Sequence, residues 1–438
     1  MGKGGENVQQ EPKAVAKAAA AVAVAGGAAS PLASRSLDEL KTLCSQYGVK
    51  PTGSREELLA RLDPYAKGIA HPFPPPKPLP LAKPDITFAE VRAALPKRLF
   101  QRSMVKSFAH LFSDLALIAA IGYAATWIGH EAVPFWARFL LWPAYIFVQG
   151  TVFTGVWVLA HECGHQAFSE SEAVNNAVGL VCHSALLVPY HSWRITHGKH
   201  HNNTGSCEND EVFCPATRSS LKGEMIQESP IVQAFFILVM LTVGWMPGYL
   251  IFNATGPPKY NGEAKSHFNP WAKFFDPRDR IGIVVSDIGF FAALGVIAYA
   301  VRALGGATVM LYYGAPYMVC NLYLVLITYL QHTDVFMPHF RGDEWSWFRG
   351  ALCTVDRSFG ALIDHTIHHI ADTHVCHHLF SKMPFYNAQE ATEILREKLG
   401  EYYLSDATPI PQALWRSYTC CAFVEDEGSA VFYKSRAD

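Results

Sequence analysis

The apolar positions of this chain gather into five long segments that polar or charged residues separate. A helix of about 20 apolar residues can cross a hydrocarbon layer about 30 Å thick. The pattern therefore predicts an all-α integral membrane protein. The five candidate segments are residues 108–128, 139–160, 231–252, 281–304 and 307–330.

The first 84 residues differ in character from the rest. Residues 1–35 are Ala-rich and of low complexity, so we predict that they are disordered. The capping boxes Ser36-x-x-Glu39 and Ser54-x-x-Glu57 predict a small helical hairpin over residues 36–63. This hairpin resembles the SAP motif, which is often associated with DNA, but a formal net charge of −2 indicates no nucleic-acid partner. Residues 64–84 form a Pro-rich linker, and residues 85–438 form the membrane domain.

Eight histidines lie in three short clusters at the edges of the apolar segments. Residues three or four apart share one face of a helix, so each cluster directs its imidazoles towards one point. Burying so many titratable rings without a ligand has no compensating gain. A tetrahedral zinc site uses four ligands, so eight nitrogens predict two metal ions. The clusters are His161-x-x-x-His165, His197-x-x-His200-His201 and His374-x-x-His377-His378.

The positions of these clusters constrain the membrane topology. Basic residues at 97–106 precede the first segment and predict a cytosolic N-terminus. Two crossings return the chain to the cytosol at His161, so the third cluster can join the first two only if one later segment does not cross. The loop 253–280 is rich in basic residues, so we predict that segment 231–252, broken at Pro247, is interfacial or re-entrant. Four transmembrane helices and a cytosolic His-rich domain remain, with 173–190 also lying flat.

Other metal chemistries fit part of the pattern. His161-Glu162-Cys163-Gly164-His165 satisfies the H-E-x-x-H motif of zinc proteases, in which the glutamate is the general base. That alternative lacks a recognisable third ligand and leaves six clustered histidines unexplained. We therefore expect Glu162 to orient a ligand ring. A non-catalytic metal-binding membrane protein also stays open.

A second H-x-x-H-H triplet, formed by His365, His368 and His369, precedes His374 by nine residues. On a continuous helix nine positions give a net half turn, so the two triplets would face opposite ways. Only one of the two triplets can point at the shared metal site. The spacing alone does not decide which triplet it is.

The three clusters resemble the histidine boxes of membrane fatty acid desaturases. The third box matches at residues 372–380, which favours His374, His377 and His378 over the earlier triplet. Three flanking stretches are similar to the microsomal omega-6, or delta-12, branch of plant, algal and fungal type. They are Val-Pro-Tyr-His-Ser-Trp at 188–193, Tyr-Leu-Gln-His-Thr-Asp at 329–334 and Leu-Cys-Thr-Val-Asp-Arg at 352–357. The SAP-like hairpin departs from this family pattern.

The resemblance implies a di-iron site that uses O₂ and carries His332, at the end of the last span, as a further ligand. It implies conversion of oleoyl to linoleoyl chains on a membrane lipid, in the endoplasmic reticulum with a cytosolic active site. Electrons would come from cytochrome b5 and its NADH-dependent reductase, since the chain has no Gly-rich dinucleotide motif. Omega-3 desaturases and acyl hydroxylases share the boxes and stay open as alternatives. The sequence does not fix whether the chain forms a homo- or hetero-oligomer.

Overall fold

A computed structural model describes residues 32, 35–46, 52–66, 76–221 and 229–436. Most of the segment predicted to be disordered, residues 1–31 and 33–34, lies outside the described residues. So do residues 67–75 of the Pro-rich linker. The described chain divides into two compact units, the N-terminal unit up to residue 75 and the main unit of residues 76–436.

The described part of the N-terminal unit is a hairpin of two helices, α1 (Leu37–Gln46) and α2 (Arg55–Ala66). At the start of α1 the Ser36 amide donates to Glu39 Oε2 at 2.6 Å, and the Glu39 amide donates to Ser36 Oγ at 3.3 Å. The capping box at Ser54 has the same reciprocal bonds. A small apolar core joins the two helices through Leu40, Cys44, Leu58 and Leu62.

Long apolar helices form the membrane part of the main unit. Their lipid-facing side chains stay exposed, as at Phe139 (65%) and Phe291 (61%), because no protein layer covers them. In chain order the helices are α3 (Phe88–Ala94), α4 (Met104–Ala125), α5 (Phe135–Gly164), α6 (Glu172–Ala185), α7 (Tyr190–Asn203), α8 (Pro230–Val243), α9 (Arg280–Leu304), α10 (Gly306–Val309) and α11 (Ala315–His332). A π-helical segment, Gly244–Tyr249, extends α8, and a second, Met310–Gly314, joins α10 to α11.

Short elements after α11 build a polar layer that carries the third histidine box. The helices are α12 (Trp347–Ala351), α13 (Ala361–Thr366), α14 (His374–Leu379), α15 (Ala388–Leu399) and α16 (Ile410–Cys420). Strands β1 (Pro338–Phe340) and β2 (Ala430–Phe432) pair antiparallel, with Pro338 opposite Phe432. A second apolar core, which includes Phe336, Val355 and Leu395, holds this layer together.

Within the described residues, five helical stretches are long and apolar enough to cross a membrane, so the count of four spans is not confirmed by length and composition. They are Met104–Gly129, Phe135–Gly164, Pro230–Tyr249, Pro277–Leu304 and Gly306–His332. The third of these covers the segment that we predicted to be interfacial. Helices α6 and α7 form a further apolar pair, bent by 106° at the residues between them.

Helix α5 is central to the main unit. Its first half is largely exposed, whereas its last 16 residues are mostly buried between α4, α6 and α11. Two glycines allow this close approach. A Cβ on Gly150 would lie 2.6 Å from the Pro316 carbonyl of α11, and one on Gly155 would lie 2.5 Å from the Thr366 carbonyl. The buried half of α5 ends in His161 and His165.

Candidate metal centre

Four helices bring nine histidines together at one end of the helix bundle. The first pair stands at the end of α5, a triplet stands on α7, one histidine ends α11, and the last triplet lies on α14. All but one of them are buried, and His197 is partly buried. They are the nine positions that the sequence predicted: His161, His165, His197, His200, His201, His332, His374, His377 and His378.

Their ring nitrogens converge in two groups, within each of which the ligand atoms lie within 4.8 Å of one another. One group is His161, His165, His197 and His377, and the other is His200, His332 and His378. The two remaining histidines adjoin these groups. His201 Nε2 lies 3.1 Å from His197 Nε2, and His374 Nε2 lies 3.0 Å from His332 Nε2.

The residues fit bound metal ions. Buried ring nitrogens normally have a hydrogen-bond partner, yet His165 Nε2 and His378 Nε2 have none. Burial also lowers the pKa of His165 and of His374 to about 3, so both rings are neutral near pH 7, as metal ligation requires. An all-imidazole donor set suits iron, zinc or copper.

Hydrogen bonds on the far side of several rings fix their orientation. His200 Nδ1 donates to Asp210 Oδ1 at 2.8 Å, and His374 Nδ1 donates to the Ile370 carbonyl at 3.1 Å. Thr204 Oγ1 donates to the His200 carbonyl and so can accept from His378 Nδ1 at 3.2 Å. Each of these bonds leaves Nε2 free to bind a metal.

Glu162 lies beside a ring of the third box. Its Oε2 accepts a hydrogen bond from the Phe385 amide at 3.3 Å, and its Oε1 lies 3.8 Å from His377 Nδ1. One carboxylate oxygen therefore faces a ring of the third box, and the other faces the chain that follows this box. This is the placement expected of a group that orients a ligand ring, and it differs from that of a general base facing a metal-bound water.

The earlier triplet points elsewhere, although not for the reason that the spacing suggested. Helix α13 ends at Thr366, and His368 and His369 have φ angles of 55° and 60°, so no continuous helix runs to His374. His368 Nε2 lies 2.7 Å from Asp114 Oδ2 on α4. His369 Nδ1 lies 3.0 Å from Asp372. We did not identify Asp114 from the sequence, although an ionisable residue in an apolar span is itself a signal of function.

A buried ionic network, also missed in the sequence, anchors the chain just after His332. Asp334 accepts from Arg357 Nη2 at 2.5 Å and from Arg416 Nη2 at 2.7 Å. Both guanidinium groups also bond to Asp406. Because both charges of each pair are satisfied, the network can stay buried and hold the end of α11 in place.

An apolar cleft leads to the histidines. It lies between α5, α7, α8 and α11. Its walls include Trp157, Phe213, Met240, Trp245, Leu324 and Val325. His161, His197, His200, His332 and His374 also line it. An elongated apolar ligand in this cleft would therefore lie against the metal-binding groups.

Comparisons with known proteins agree with this geometry. The fatty acid desaturase family model matches residues 137–409, and the SAP domain model matches residues 31–67. The Delta(12) fatty acid desaturase of Mortierella alpina is 48% identical over 368 residues, 80% of this chain and 91% of the relative. The Delta(12)-acyl-lipid-desaturase of Punica granatum is 45% identical, over 81% and 91% of the two chains. The Delta(12)-fatty-acid desaturase of Arabidopsis thaliana is 44% identical, over 80% and 91%.

The desaturase model spans more than half of the chain and includes all nine converging histidines. The relatives extend the match over about four fifths of the chain. The apolar cleft that ends on a histidine cluster able to hold metal is the arrangement such an enzyme needs, and the protein belongs to the fatty acid desaturase family of oxidoreductases.

Proposed function

We propose that the protein is a delta-12, or omega-6, desaturase that converts a lipid-linked oleoyl chain to a linoleoyl chain. The observation that carries this proposal is the junction of the apolar cleft with the histidine cluster. The names of the Mortierella, Punica and Arabidopsis relatives support the position of the new double bond. The reaction consumes one O₂, two electrons and two protons, removes two hydrogens from adjacent CH₂ groups and releases two waters.

We propose further that the nine converging histidines hold two iron ions. The group of His161, His165, His197 and His377, with His201 beside it, would hold one ion. The group of His200, His332 and His378, with His374 beside it, would hold the other. Bound iron supplies O₂ activation and attack on an unactivated C–H bond, which no side-chain acid or base can reach.

The side chains of the protein itself position the acyl chain and exclude water from the site. The tryptophan and aliphatic walls of the cleft exclude water and hold the acyl chain against the histidines. Asp210, Thr204 and the Ile370 carbonyl fix three rings from behind. The Asp334 network fixes the end of α11, which carries His332. Rigid placement matters because regiochemistry depends on which CH₂ pair lies beside the metals.

We also propose that four helices cross the membrane and that α8 does not. His165 and His200 lie in one cluster with His332, so the chain crosses an even number of times between α5 and the end of α11. A crossing by α8 would place His332 on the opposite side of the membrane from His165 and His200. The segment is also broken at Met246, whose φ of −125° and ψ of 115° are not helical, as in an interfacial or re-entrant helix.

The remaining parts of the proposal concern the surroundings of this enzyme. We place it in the endoplasmic reticulum membrane, with the histidines on the cytosolic side and cytochrome b5 with its NADH-dependent reductase as electron source. The basic residues at 97–106, around the start of α4, support this orientation. In domain terms, the hairpin of residues 36–63 and the linker of residues 64–84 precede a desaturase domain of residues 85–438.

Expression in a host that contains oleate but no linoleate tests the proposed reaction. Linoleate, identified by gas chromatography with localisation of the double bonds, is the expected new product. The His377→Ala variant should make none, and the matched variant of exposed His365, His365→Ala, should retain activity. The purified protein should contain about two irons per chain. Conversion of linoleate but not oleate would assign an omega-3 desaturase, and a hydroxy acid would assign a hydroxylase.

A further inference from the structure

Three basic side chains form a patch beside the third histidine box. We call Arg102, Lys106 and Lys382 the basic patch. Arg102 Nε donates to the Lys382 carbonyl at 3.4 Å, and Lys106 Nζ lies 5.2 Å from the centre of the Tyr386 ring. Lys106 and Lys382 are exposed, and Arg102 is partly exposed.

None of the three has a carboxylate partner within 4 Å in the described part of the chain. Many other surface cations do, including Lys83 with Glu344, Arg218 with Glu425 and Arg98 with Glu390. The basic patch therefore keeps a net positive charge that the protein itself does not neutralise. Concentrated unneutralised charge attracts a partner of opposite sign.

A short route connects the basic patch to the histidines. Lys382 follows the end of α14 by three residues, and Phe385 follows Lys382 by three more. The Phe385 amide donates to Glu162 Oε2, and Glu162 Oε1 lies 3.8 Å from His377 Nδ1. Lys382 thus lies on the loop that joins the protein surface to a ring of the proposed metal site, and Arg102 contacts that loop.

We propose that the basic patch is the docking surface for an acidic one-electron carrier protein. This inference rests on the proposed function, because each new double bond then consumes two electrons that the chain has no nucleotide motif to supply. Two reduced carriers dock in turn, and each is oxidised by one electron. O₂ accepts both electrons and takes up two protons together with the two acyl hydrogens, which yields two waters.

Anionic lipid is the competing occupant, because basic residues beside a membrane helix also attract lipid head groups. Lys106 lies on α4 and fits either occupant. Lys382 belongs to the histidine-bearing loop, and its route to Glu162 serves electron entry but has no use in lipid binding. The position of Lys382, three residues before Phe385, therefore favours the protein carrier.

Charge reversal of the basic patch tests the proposal on the full-length, iron-loaded protein. The variant is Arg102→Glu with Lys106→Glu and Lys382→Glu, and the control is Arg278→Glu, at a side chain that is 84% exposed. The probe is the soluble haem domain of cytochrome b5, an acidic one-electron carrier. At low salt the triple variant should bind the probe about tenfold more weakly, with a flatter salt dependence, and the control should bind as wild type.

Turnover with dithionite in place of the carrier gives the second readout, and it should be unchanged in the triple variant. Because the triple variant risks misfolding, the single Lys382→Gln variant should show a smaller loss of carrier binding at full iron content. Unchanged carrier binding, together with lost binding to phosphatidylserine vesicles, would overturn the proposal. Weakened carrier binding supports the docking surface even if the product proves not to be linoleate, since binding is measured without the product.

Discussion

Asp210 allows a sharp test of how the protein tunes its metal-binding histidines. Its Oδ1 accepts three hydrogen bonds, from His200 Nδ1 at 2.8 Å, from the Val212 amide at 2.9 Å and from the Phe213 amide at 3.0 Å. Burial alone would raise the pKa of Asp210, but His200 and the two amide donors lower it, so the side chain is a carboxylate. The charge therefore stands directly behind a ligand ring.

The Asp210→Asn variant removes the charge and keeps Oδ1 in place. Hydrogen bonds to a charged group contribute about 1.5–3 kcal/mol and neutral ones about 1, so we expect a loss of about 1–2 kcal/mol at His200. That corresponds to roughly 5- to 30-fold weaker iron binding, which overlaps the roughly 10- to 100-fold range known for residues behind metal ligands. Asp210→Ala leaves two buried amides and the ring without an acceptor, so it should also lower the free energy of unfolding by about 3 kcal/mol or more.

Iron titration against a competing chelator measures the first effect, and thermal unfolding measures the second. Asp364→Asn is the matched control. Asp364 is also buried and accepts the Phe359 amide at 2.8 Å, but it contacts no histidine of the cluster. Iron binding by Asp210→Asn equal to that of wild type would refute a role for the charge. If the Asn and Ala variants lowered the free energy of unfolding equally, Asp210 would serve only to cap the loop that donates the two amides.

Three further predictions follow from the site and the topology. His377→Ala should lose iron and all product, whereas His368→Ala, which breaks only the bond to Asp114, should leave measurable product; the reverse result would exchange the two triplets. His267 is buried and its pKa is lowered to about 4 by burial, so its neutral form stabilises the fold above pH 6.5, and that stability is lost as the pH falls from 6.5 to 4. The loss reaches about 3 kcal/mol, from 2.5 units at 1.36 kcal/mol each, and His267→Gln should flatten this dependence in unfolding experiments at several pH values. A glycosylation acceptor at Gly305 should be modified in the lumen and one at Asn261 should not; modification at Asn261 would refute the four-span topology.

Local spacing predicted most of the centre. His161 and His165 share a face because they are four apart on α5, and the triplets on α7 and α14 obey the same rule. What spacing could not predict is the pair of left-handed residues at His368 and His369, since such angles are uncommon outside glycine and depend on tertiary contacts. For the same reason, spacing could not predict hydrogen-bond partners that are distant in sequence, such as Asp114 for His368.

Hydropathy likewise identified the apolar helices, but it did not show which of them cross the membrane. Segment 231–252 is as apolar as the other candidate spans, so its composition fits both a span and an interfacial helix. A break in the backbone distinguishes it, because Met246 has non-helical angles, φ −125° and ψ 115°. Such a break depends on what the segment packs against, which a window of hydrophobicity does not contain.

Gly155 shows how helix α5 couples separate parts of the metal centre. Gly155 lets the C-terminal end of α13 lie directly on α5, since an added Cβ would stand 2.5 Å from the Thr366 carbonyl and 3.2 Å from Asp114 Oδ2. A backbone carbonyl cannot rotate away as a side chain can, so Gly155→Ala must shift the chain that leads to the third box. We expect this variant to bind less iron, as measured by elemental analysis, with most of the fold intact. Gly122→Ala on α4 is the control, because a Cβ there meets nothing within 4 Å and alanine favours helix by about 0.5–1 kcal/mol. Full iron content in Gly155→Ala would show that the third box is positioned independently of α5.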